Sequence, residues 1–199
     1  DHAVIAGADV ISKFVLSGFQ AFQAVSAEPC KPFDEARNGI NLGEGAATMI
    51  LSANKNYSSG IKLLSGSVSN DANHISGPSR TGEELYQAIH KSMEDAELSS
   101  KDIDMISAHE MEAKAFTLAK LQTVPVNSLK GYYGHTLGAA GLIESIISSH
   151  SLKENQVIPT LGFKKLGVTT PVNVCNALKE IPLKYCLKTA SGFGGCNAA

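Results

Sequence analysis

The stretch from Lys130 to Gly141 constrains the fold more than any other part of the sequence, because it joins a basic residue, an imidazole and a run of very small side chains. Small side chains let backbones approach closely, and mostly apolar residues follow, so the stretch predicts a largely buried helix that only Glu144 and the serines solvate. His135 stands at the mouth of this helix, whose positive dipole end favours a neutral, hydrogen-bond-donating imidazole. A buried histidine with a purely structural role beside the Gly134 turn is the open alternative. The apolar residues that follow are Leu142, Ile143, Ile146 and Ile147.

Short apolar segments alternate with segments of helical periodicity along the chain. Helices are predicted over 11–25, 82–96 and 113–121, and Thr81 and Glu84 predict a capping box for the second of them. Strands that alternate with helices favour an α/β layered fold with a buried sheet, in which the first two strands are expected to be buried. The predicted strands cover 3–7, 46–51, 61–68, 103–108, 124–127 and 185–190.

Composition excludes several classes of function. The net charge is 17 − 19 = −2, which leaves no basic field for nucleic acid or anionic lipid. No apolar run approaches the ~20 residues of a membrane helix, so we expect no membrane association. No signal peptide is visible, and four cysteines without metal-type spacing predict reduced thiols and a cytoplasmic location. The sequence opens on an apolar strand without an initiator Met, from which we expect it to be part of a larger fold.

Three features that end strands or open helices could support chemistry: His109, the pair Lys130 and His135, and the glycine loop around Phe193. In α/β folds, ligands gather at the carboxyl ends of strands. Two imidazoles and an ammonium group that converge there can stabilise an oxyanion or an enolate. The glycines beside Phe193 can bring backbone N–H groups close to a carbonyl, although such a run is also typical of a tight turn that closes a sheet. Neither GxGxxG nor GxxxxGK[ST] occurs, which argues against a phosphate-binding loop.

Six motifs occur in the order in which one family has them, and together they resemble the elongating β-ketoacyl-[acyl carrier protein] synthases over essentially the whole chain. The resemblance implies a thiolase-like layered α/β/α/β/α fold built from two similar halves. Residues 1–55 are then the end of the N-terminal half, and residues 56–199 are the C-terminal half. The motifs are Phe33-Asp34-x-x-Arg37-x-Gly39, Gly43-Glu44-Gly45-Ala46, Asp71-Ala72-x-His74, Ala108-His109, Lys130-x-x-x-Gly134-His135-x-x-Gly138-Ala139-Ala140-Gly141 and Gly192-Phe193-Gly194-Gly195-x-Asn197-Ala198.

The resemblance also implies a reaction: decarboxylative Claisen condensation of an acyl thioester with malonyl-[acyl carrier protein], as in fatty-acid or polyketide-type chain elongation. By resemblance, His109 and His135 hold the malonyl thioester carbonyl and stabilise the enolate, and Lys130 orients that site electrostatically. Glu112 supports the site as the partner of Lys130. No metal and no cofactor are implied. The implied partners are acyl carrier protein, with its phosphopantetheine thioesters, and a second subunit in a homodimer or heterodimer.

Two loops are implied to gate the acyl pocket. Phe193 is the gate itself and assists decarboxylation, while the surrounding glycines move and contact substrate. The segment from Asp71 to Ser76 resembles a second gate, in which His74 has a structural role. The substrate-contacting glycines are Gly192, Gly194 and Gly195.

The sequence departs from the family pattern at two places. The nucleophilic cysteine of the family lies upstream of the motifs present here, and none of the four cysteines replaces it, so the nucleophile is expected outside this chain. His109 is followed at once by Glu110-Met111-Glu112, without the threonine-rich loop that grips the pantetheine arm in the family. The alternative function is a catalytically silent partner subunit, similar to a chain length factor, that shapes a pocket and binds carrier protein. The presence of both imidazoles, Lys130 and Phe193 favours the enzyme.

Overall fold

The computed structural model describes residues 1–57, 60–72, 79–109 and 112–199, and the structural statements below refer to those residues. Their α-helices are α1 (Lys13–Ala21), α2 (Glu83–Asp95), α3 (Ala113–Leu118), α4 (Lys130–Tyr133) and α5 (Ala140–Glu154). The strands are β1 (His2–Asp9), β2 (Gly45–Ser52), β3 (Val68–Asn70), β4 (Met105–Ser107), β5 (Pro125–Asn127), β6 (Gln156–Val157), β7 (Asn173–Val174), β8 (Lys179–Glu180), β9 (Cys186–Lys188), β10 (Ala190–Ser191) and β11 (Cys196–Ala198).

A parallel four-stranded sheet in the order β7-β5-β4-β9 positions the two predicted histidines. Successive side chains of β4 point to opposite faces, as the pleat of a strand requires. Ile106 therefore packs with the cluster that α2 and α3 cover, whereas Met105 packs with Val157 and Cys175 on the other face. Helix α5 packs against β9 and β4. Helices thus cover the sheet, and the prediction of an α/β layered fold with a buried sheet is confirmed.

Strands β1 and β2 form a separate antiparallel ribbon in which Ile5 pairs with Met49. The prediction that both strands are buried is wrong for the described residues, because Val4 and Ile50 are 70% and 67% exposed. Among the described residues, the two strands pair only with each other. One face of the ribbon packs against α5 and the turn before it, and the other face stays open. The ribbon nevertheless contacts that turn, since Gly138 N donates a hydrogen bond to Asp9 Oδ2 at 3.0 Å.

The loop that contains the Phe33-Asp34 motif is held by buried polar contacts. The carboxylate of Asp34 accepts hydrogen bonds from the backbone N–H groups of Ala36, Lys164 and Lys165. Although Asp34 is partly desolvated, these donors lower the pKa of its carboxyl group. The motif therefore joins two distant loops, which is a structural role.

The predicted third strand, 61–68, is shorter and shifted in the structure. Strand β3 covers only Val68–Asn70, because these are the three residues that pair with β11. Leu63 and Leu64 are 70% and 50% exposed. The predicted last strand, 185–190, is also wrong in extent, since it is divided into β9 and β10, and a further strand, β11, follows the glycine loop.

Helix α2 is confirmed, but the predicted capping box is wrong. Gly82, with φ of 79°, occupies the cap position, so Thr81 lies one residue too early to reach Glu84. The Thr81 hydroxyl instead accepts a hydrogen bond from Glu83 N at 3.3 Å. A Cβ at Gly82 would come within 2.8 Å of Ala115 N, so the close approach of α2 to α3 requires glycine here.

Helix α5 buries its polar residues, which reverses the prediction for this segment. Glu144, Ser148 and Ser151 are 1%, 7% and 4% exposed. The apolar residues that were expected to be buried are half-buried instead: Leu142, Ile143, Ile146 and Ile147. The reason is that the face of α5 that meets the parallel sheet lies against polar and charged groups at the strand ends, such as Lys188.

Candidate active site

The two imidazoles meet at the carboxyl end of the parallel sheet. His109 follows β4 and is 6% exposed, whereas His135 follows α4. Their ring centroids lie 4.7 Å apart with an interplanar angle of 77°. The backbone of His135 is fixed from both sides, because its N–H donates to Asn41 O at 2.7 Å and its carbonyl accepts from Gly43 N at 3.0 Å. The convergence of the two histidines predicted from the strand ends is therefore present in the structure.

The hydrogen bonding of His135 places its ring proton. Nδ1 accepts a hydrogen bond from Leu137 N at 3.2 Å, so the neutral ring bears its proton on Nε2 and can donate from there. Burial, followed by the positive charge of Lys130 and by His109, lowers the pKa of His135 to about 3. The sequence predicted a neutral imidazole at His135, and the lowered pKa agrees with that prediction. Burial, rather than the dipole of a helix, is the main cause of the lowered pKa.

Glu144 is a member of the site that the sequence analysis did not identify. Its carboxylate Oε2 lies 3.6 Å from Nδ1 of His109, beyond hydrogen-bonding distance, and 2.7 Å from Nζ of Lys188. Burial opposes ionisation, but the charge of Lys188 and the neighbouring His109 ring outweigh it and lower the pKa of Glu144 to about 2. The one available signal was a lone acidic residue inside an apolar helix; its partner, Lys188, lies on a distant strand.

Glu112 fixes the backbone at His109. Its Oε2 accepts hydrogen bonds from His109 N at 2.9 Å and from the buried hydroxyl of Thr189 at 3.0 Å. Burial raises the pKa of this carboxyl group to about 7, although the charges of Lys188 and Lys130 act against it. The supporting position predicted for Glu112 thus fits these contacts, while its pairing with Lys130 stays a prediction.

Lys130 is 2% exposed, although it is a lysine at the start of a helix. Its positive charge is one of the causes that lower the pKa of both imidazoles. The electrostatic role that the resemblance implies for Lys130 stays a prediction.

Phe193 lies on the loop between β10 and β11. Its ring is stacked on Phe19 of α1 with centroids 5.3 Å apart and meets Phe22 edge-on at 5.7 Å. Phe19 in turn lies 6.3 Å from the His135 ring. These two phenylalanines were not predicted as site residues, because the helical periodicity of α1 indicated only a packing face.

The glycine loop closes against Asp71, the first residue of the second predicted gate. Gly195 has φ of 78°, and a Cβ there would lie 1.8 Å from Asp71 O. Asp71 N donates to Gly195 O at 2.7 Å. The rest of the second predicted gate from residue 73 onward, with His74 and Ser76, lies outside the described residues, as do Glu110 and Met111 after His109.

One cavity of about 1520 Å³ joins these groups. His109, Lys130, His135 and Phe193 all line it, together with Glu112, and Gly192 and Gly195 from the predicted substrate loop lie on its wall. Gly194 is not among the lining residues. Apolar side chains of α1 line the same cavity, so it combines polar groups at one place with room for a long apolar ligand.

The four cysteines differ in their surroundings. Cys30 and Cys175 are buried, and burial raises the pKa of Cys175. Burial also raises the pKa of Cys186 to about 11. Cys196 is exposed at the cavity wall, where Asn70 Nδ2 lies 3.9 Å from its sulfur. An activated thiol needs a nearby base, a cation or a helix N-terminus, so these contacts favour none of the four as a nucleophile.

Within the described residues, no three or more His, Cys, Asp and Glu side chains are grouped so that they could hold a metal ion. In the same ranges, every helix is too short or too polar to cross a membrane.

Two family profiles match the chain. The profile for "Beta-ketoacyl synthase, C-terminal domain" matches residues 62–164, and that for "Beta-ketoacyl synthase, N-terminal domain" matches residues 1–56. The chain is 28% identical to 3-oxoacyl-[acyl-carrier-protein] synthase 2 of Staphylococcus aureus, over 94% of this chain and 51% of that protein. The chain spans about half the length of the relatives that it matches.

Solved structures agree with this similarity. A β-ketoacyl synthase from Burkholderia phymatum superposes with a TM-score of 0.91 at 26% identity, covering 99% of this chain and 53% of that one. A ketosynthase from Xenorhabdus doucetiae, solved in complex with its chain length factor, gives a TM-score of 0.91 at 27% identity, covering 100% of this chain and 52% of the other. The fold is therefore the thiolase-like α/β fold that the motifs implied.

Proposed function

The chain belongs to the β-ketoacyl synthase family, and from this premise we propose that the protein containing it condenses an acyl thioester with malonyl-[acyl carrier protein] by decarboxylative Claisen chemistry. The observation that supports this most is the pair of imidazoles 4.7 Å apart on the wall of one large, partly apolar cavity. Two such donors can bind one thioester oxygen, and the apolar part can hold an acyl chain.

The proposed sequence of steps uses these groups in turn. A cysteine outside residues 1–199 takes the acyl group from a carrier-protein thioester and releases the carrier thiol. Malonyl thioester then binds with its carbonyl oxygen at His109 and His135. The C–C bond to the malonyl carboxylate then breaks, and CO₂ leaves. The electron pair of the broken bond stays behind and forms the enolate. The enolate carbon attacks the acyl-cysteine carbonyl, and the cysteine sulfur leaves as a thiolate.

Neutral histidines suit this chemistry. The enolate oxygen becomes negative as CO₂ leaves, and a neutral N–H group stabilises it without transferring a proton prematurely. The proton of His135 on Nε2 and its low pKa support such a donor role. Lys130 contributes fixed positive charge from a buried position. We propose that Phe193, half exposed and stacked on Phe19, gates the acyl pocket, and that its flanking glycines contact the substrate.

The proposal extends to partners and to the division of the chain. Acyl carrier protein is the proposed source of both thioesters, because the Staphylococcus aureus relative is a 3-oxoacyl-[acyl-carrier-protein] synthase. A dimer, with an identical or a similar subunit, is proposed from the complex of the Xenorhabdus doucetiae ketosynthase with its chain length factor. We assign residues 1–55 to the end of an N-terminal half and residues 56–199 to a C-terminal half, a division that the extents of the two family matches support.

The decisive experiment incubates the complete protein with acyl and malonyl carrier-protein thioesters and measures products by mass spectrometry. We expect a β-ketoacyl product two carbons longer than the acyl donor, with the acyl adduct on a cysteine outside residues 1–199. C196S is the matched control and should extend chains as the unchanged protein does. A protein that binds the carrier but forms neither adduct nor product would be a silent chain-length-factor-like subunit, and an adduct on Cys196 would contradict the assignment of the nucleophile.

A further inference from the structure

Lys188 is a nearly buried cation whose surroundings match its three N–H donors. It ends strand β9, and its side chain is 16% exposed. Nζ lies 2.7 Å from Glu144 Oε2 and donates to Ser107 O at 3.3 Å and to Thr189 O. An ammonium group has three donors, and these three acceptors come from a helix, a neighbouring strand and the residue that follows its own strand. Lys188 is therefore built into the structure rather than placed on its surface.

The position of Lys188 matters because of what Glu144 faces next. The same Oε2 atom that contacts Lys188 lies 3.6 Å from Nδ1 of His109. An isolated carboxylate at this distance from an imidazole would favour protonation of the ring. With an ammonium group 2.7 Å away, the carboxylate is held in place and its negative charge is balanced.

We propose that Lys188 is a positioning residue for His109, which acts by fixing and neutralising the Glu144 carboxylate behind the ring so that the imidazole stays neutral when substrate binds. This inference rests on the proposed condensation and adds to it a residue outside the motifs that identified the site. Lys188 and Glu144 lie on different elements, β9 and α5, so the ion pair also fixes α5 against the end of the sheet.

The charged and titratable groups around His109 come from every element that packs there. Glu112 precedes α3 and contacts His109 N, Lys130 and Tyr133 lie on α4, and His135 follows that helix. Burial lowers the pKa of His109, the charge of Glu144 raises it, and the charges of Lys130 and Lys188 lower it. Loss of Lys188 removes one cation and leaves the carboxylate unbalanced, so both changes act in the direction of imidazolium.

The first test is the pH profile of malonyl-carrier decarboxylation by the complete protein. Relative to unchanged protein at the same pH, K188M should be roughly tenfold more impaired at pH 6 than at pH 8, because its His109 is partly protonated at pH 6. K188R should restore the profile of unchanged protein, and K188M/E144Q should do so as well because the unbalanced carboxylate is gone. K153M, which removes an exposed lysine of α5, is the matched control.

The second test reads His109 directly and does not depend on catalysis. Histidine-labelled complete protein is titrated by NMR, with the ring of His109 identified by its loss in H109N. In K188M the His109 ring should protonate at higher pH than in unchanged protein, and in E144Q at lower pH. K188Q, which can still donate to the backbone carbonyls, replaces K188M if that variant does not fold.

The outcomes separate the two proposals. A His109 titration that is identical in unchanged protein and in the Lys188 variants would overturn the role of Lys188, whatever the activity. An unchanged protein that does not decarboxylate malonyl thioester would overturn the proposed condensation, and the titration would still decide the role of Lys188. If K188M/E144Q titrates like K188M, the effect of Lys188 does not pass through Glu144, and the inference is wrong.

Discussion

At the scale of single residues, the site places two carboxylates in opposite protonation environments. Lys188 and His109 outweigh burial at Glu144 and lower its pKa to about 2, whereas burial prevails at Glu112 and raises its pKa to about 7. Such a divergence is typical of sites that hold acid–base groups ready for chemistry. The sequence predicted His109, Lys130 and His135 from motifs and strand ends. It could not predict the Lys188–Glu144 ion pair, because the pattern around Glu144 is that of a solvated residue and the two charges meet only in the folded chain.

The raised pKa of Glu112 predicts a pH-dependent loss of stability. The folded pKa, about 7, lies above the usual value of 4.5, so the folded state holds a proton that the unfolded state releases between these pH values. Stability from this site is therefore complete below about pH 4.5 and is lost as the pH rises towards 7. In E112Q the neutral amide can keep both hydrogen bonds, so the variant should gain stability relative to unchanged protein as the pH rises.

Thermal unfolding of the complete protein at pH 5 and pH 8 checks this prediction. We expect the melting temperature of E112Q, relative to that of unchanged protein, to be higher at pH 8 than at pH 5. The corresponding relative gain in the free energy of unfolding is roughly 2–3 kcal/mol. E154Q alters an exposed carboxylate at the end of α5 and should show no such trend. Parallel pH dependences of E112Q and unchanged protein would show that Glu112 is ionised throughout.

At the scale of elements, local patterns predicted what local forces determine. The spacing of Leu85, Ile89 and Met93 predicted α2, and all three are buried. The strand before His109 is present, although shorter than predicted. The extent of β3 was mispredicted because its only described partner, β11, lies more than a hundred residues later in the chain, and no local pattern reports such a pairing. The prediction that β1 is buried was wrong for a similar reason, since the apolar composition of a strand does not specify how many of its faces are covered.

Two adjacent glycines of the β10–β11 loop provide a matched test of why this loop needs glycine. Both have positive φ, 82° at Gly194 and 78° at Gly195, but a Cβ at Gly194 meets nothing within 4 Å among the described residues. G194A should therefore cost only the backbone strain, about 1 kcal/mol. G195A adds a clash with Asp71 O and breaks the hydrogen bond from Asp71 N, so it should cost roughly 3 kcal/mol or more.

The melting temperatures of the two variants measure this difference. G195A should lower the melting temperature clearly more than G194A does. Equal effects would mean that the loop does not close against Asp71 in the way described.

At the scale of the whole molecule, motif order was the strongest information in the sequence. Six motifs in sequence order implied the family, which the family profile over residues 62–164 establishes, and with it the thiolase-like fold. Two features of the molecule lay beyond those motifs. The large cavity depends on α1, whose phenylalanines approach Phe193 only in the folded chain, and the apolar surfaces of β1 and β2 remain exposed here. The proposed activity requires a nucleophile from outside residues 1–199.

The most direct test of the central claim is the rate of malonyl-carrier decarboxylation by the complete protein and by H109A, H135A and the double variant. We predict a loss of about 10²–10³-fold for each single variant, because each removes one donor to the same oxygen. The double variant should be much less impaired than the product of the two losses, since the two groups act as a unit. H150A, which alters an exposed histidine of α5, should decarboxylate like unchanged protein. Decarboxylation by H135A at the unchanged rate would contradict the account.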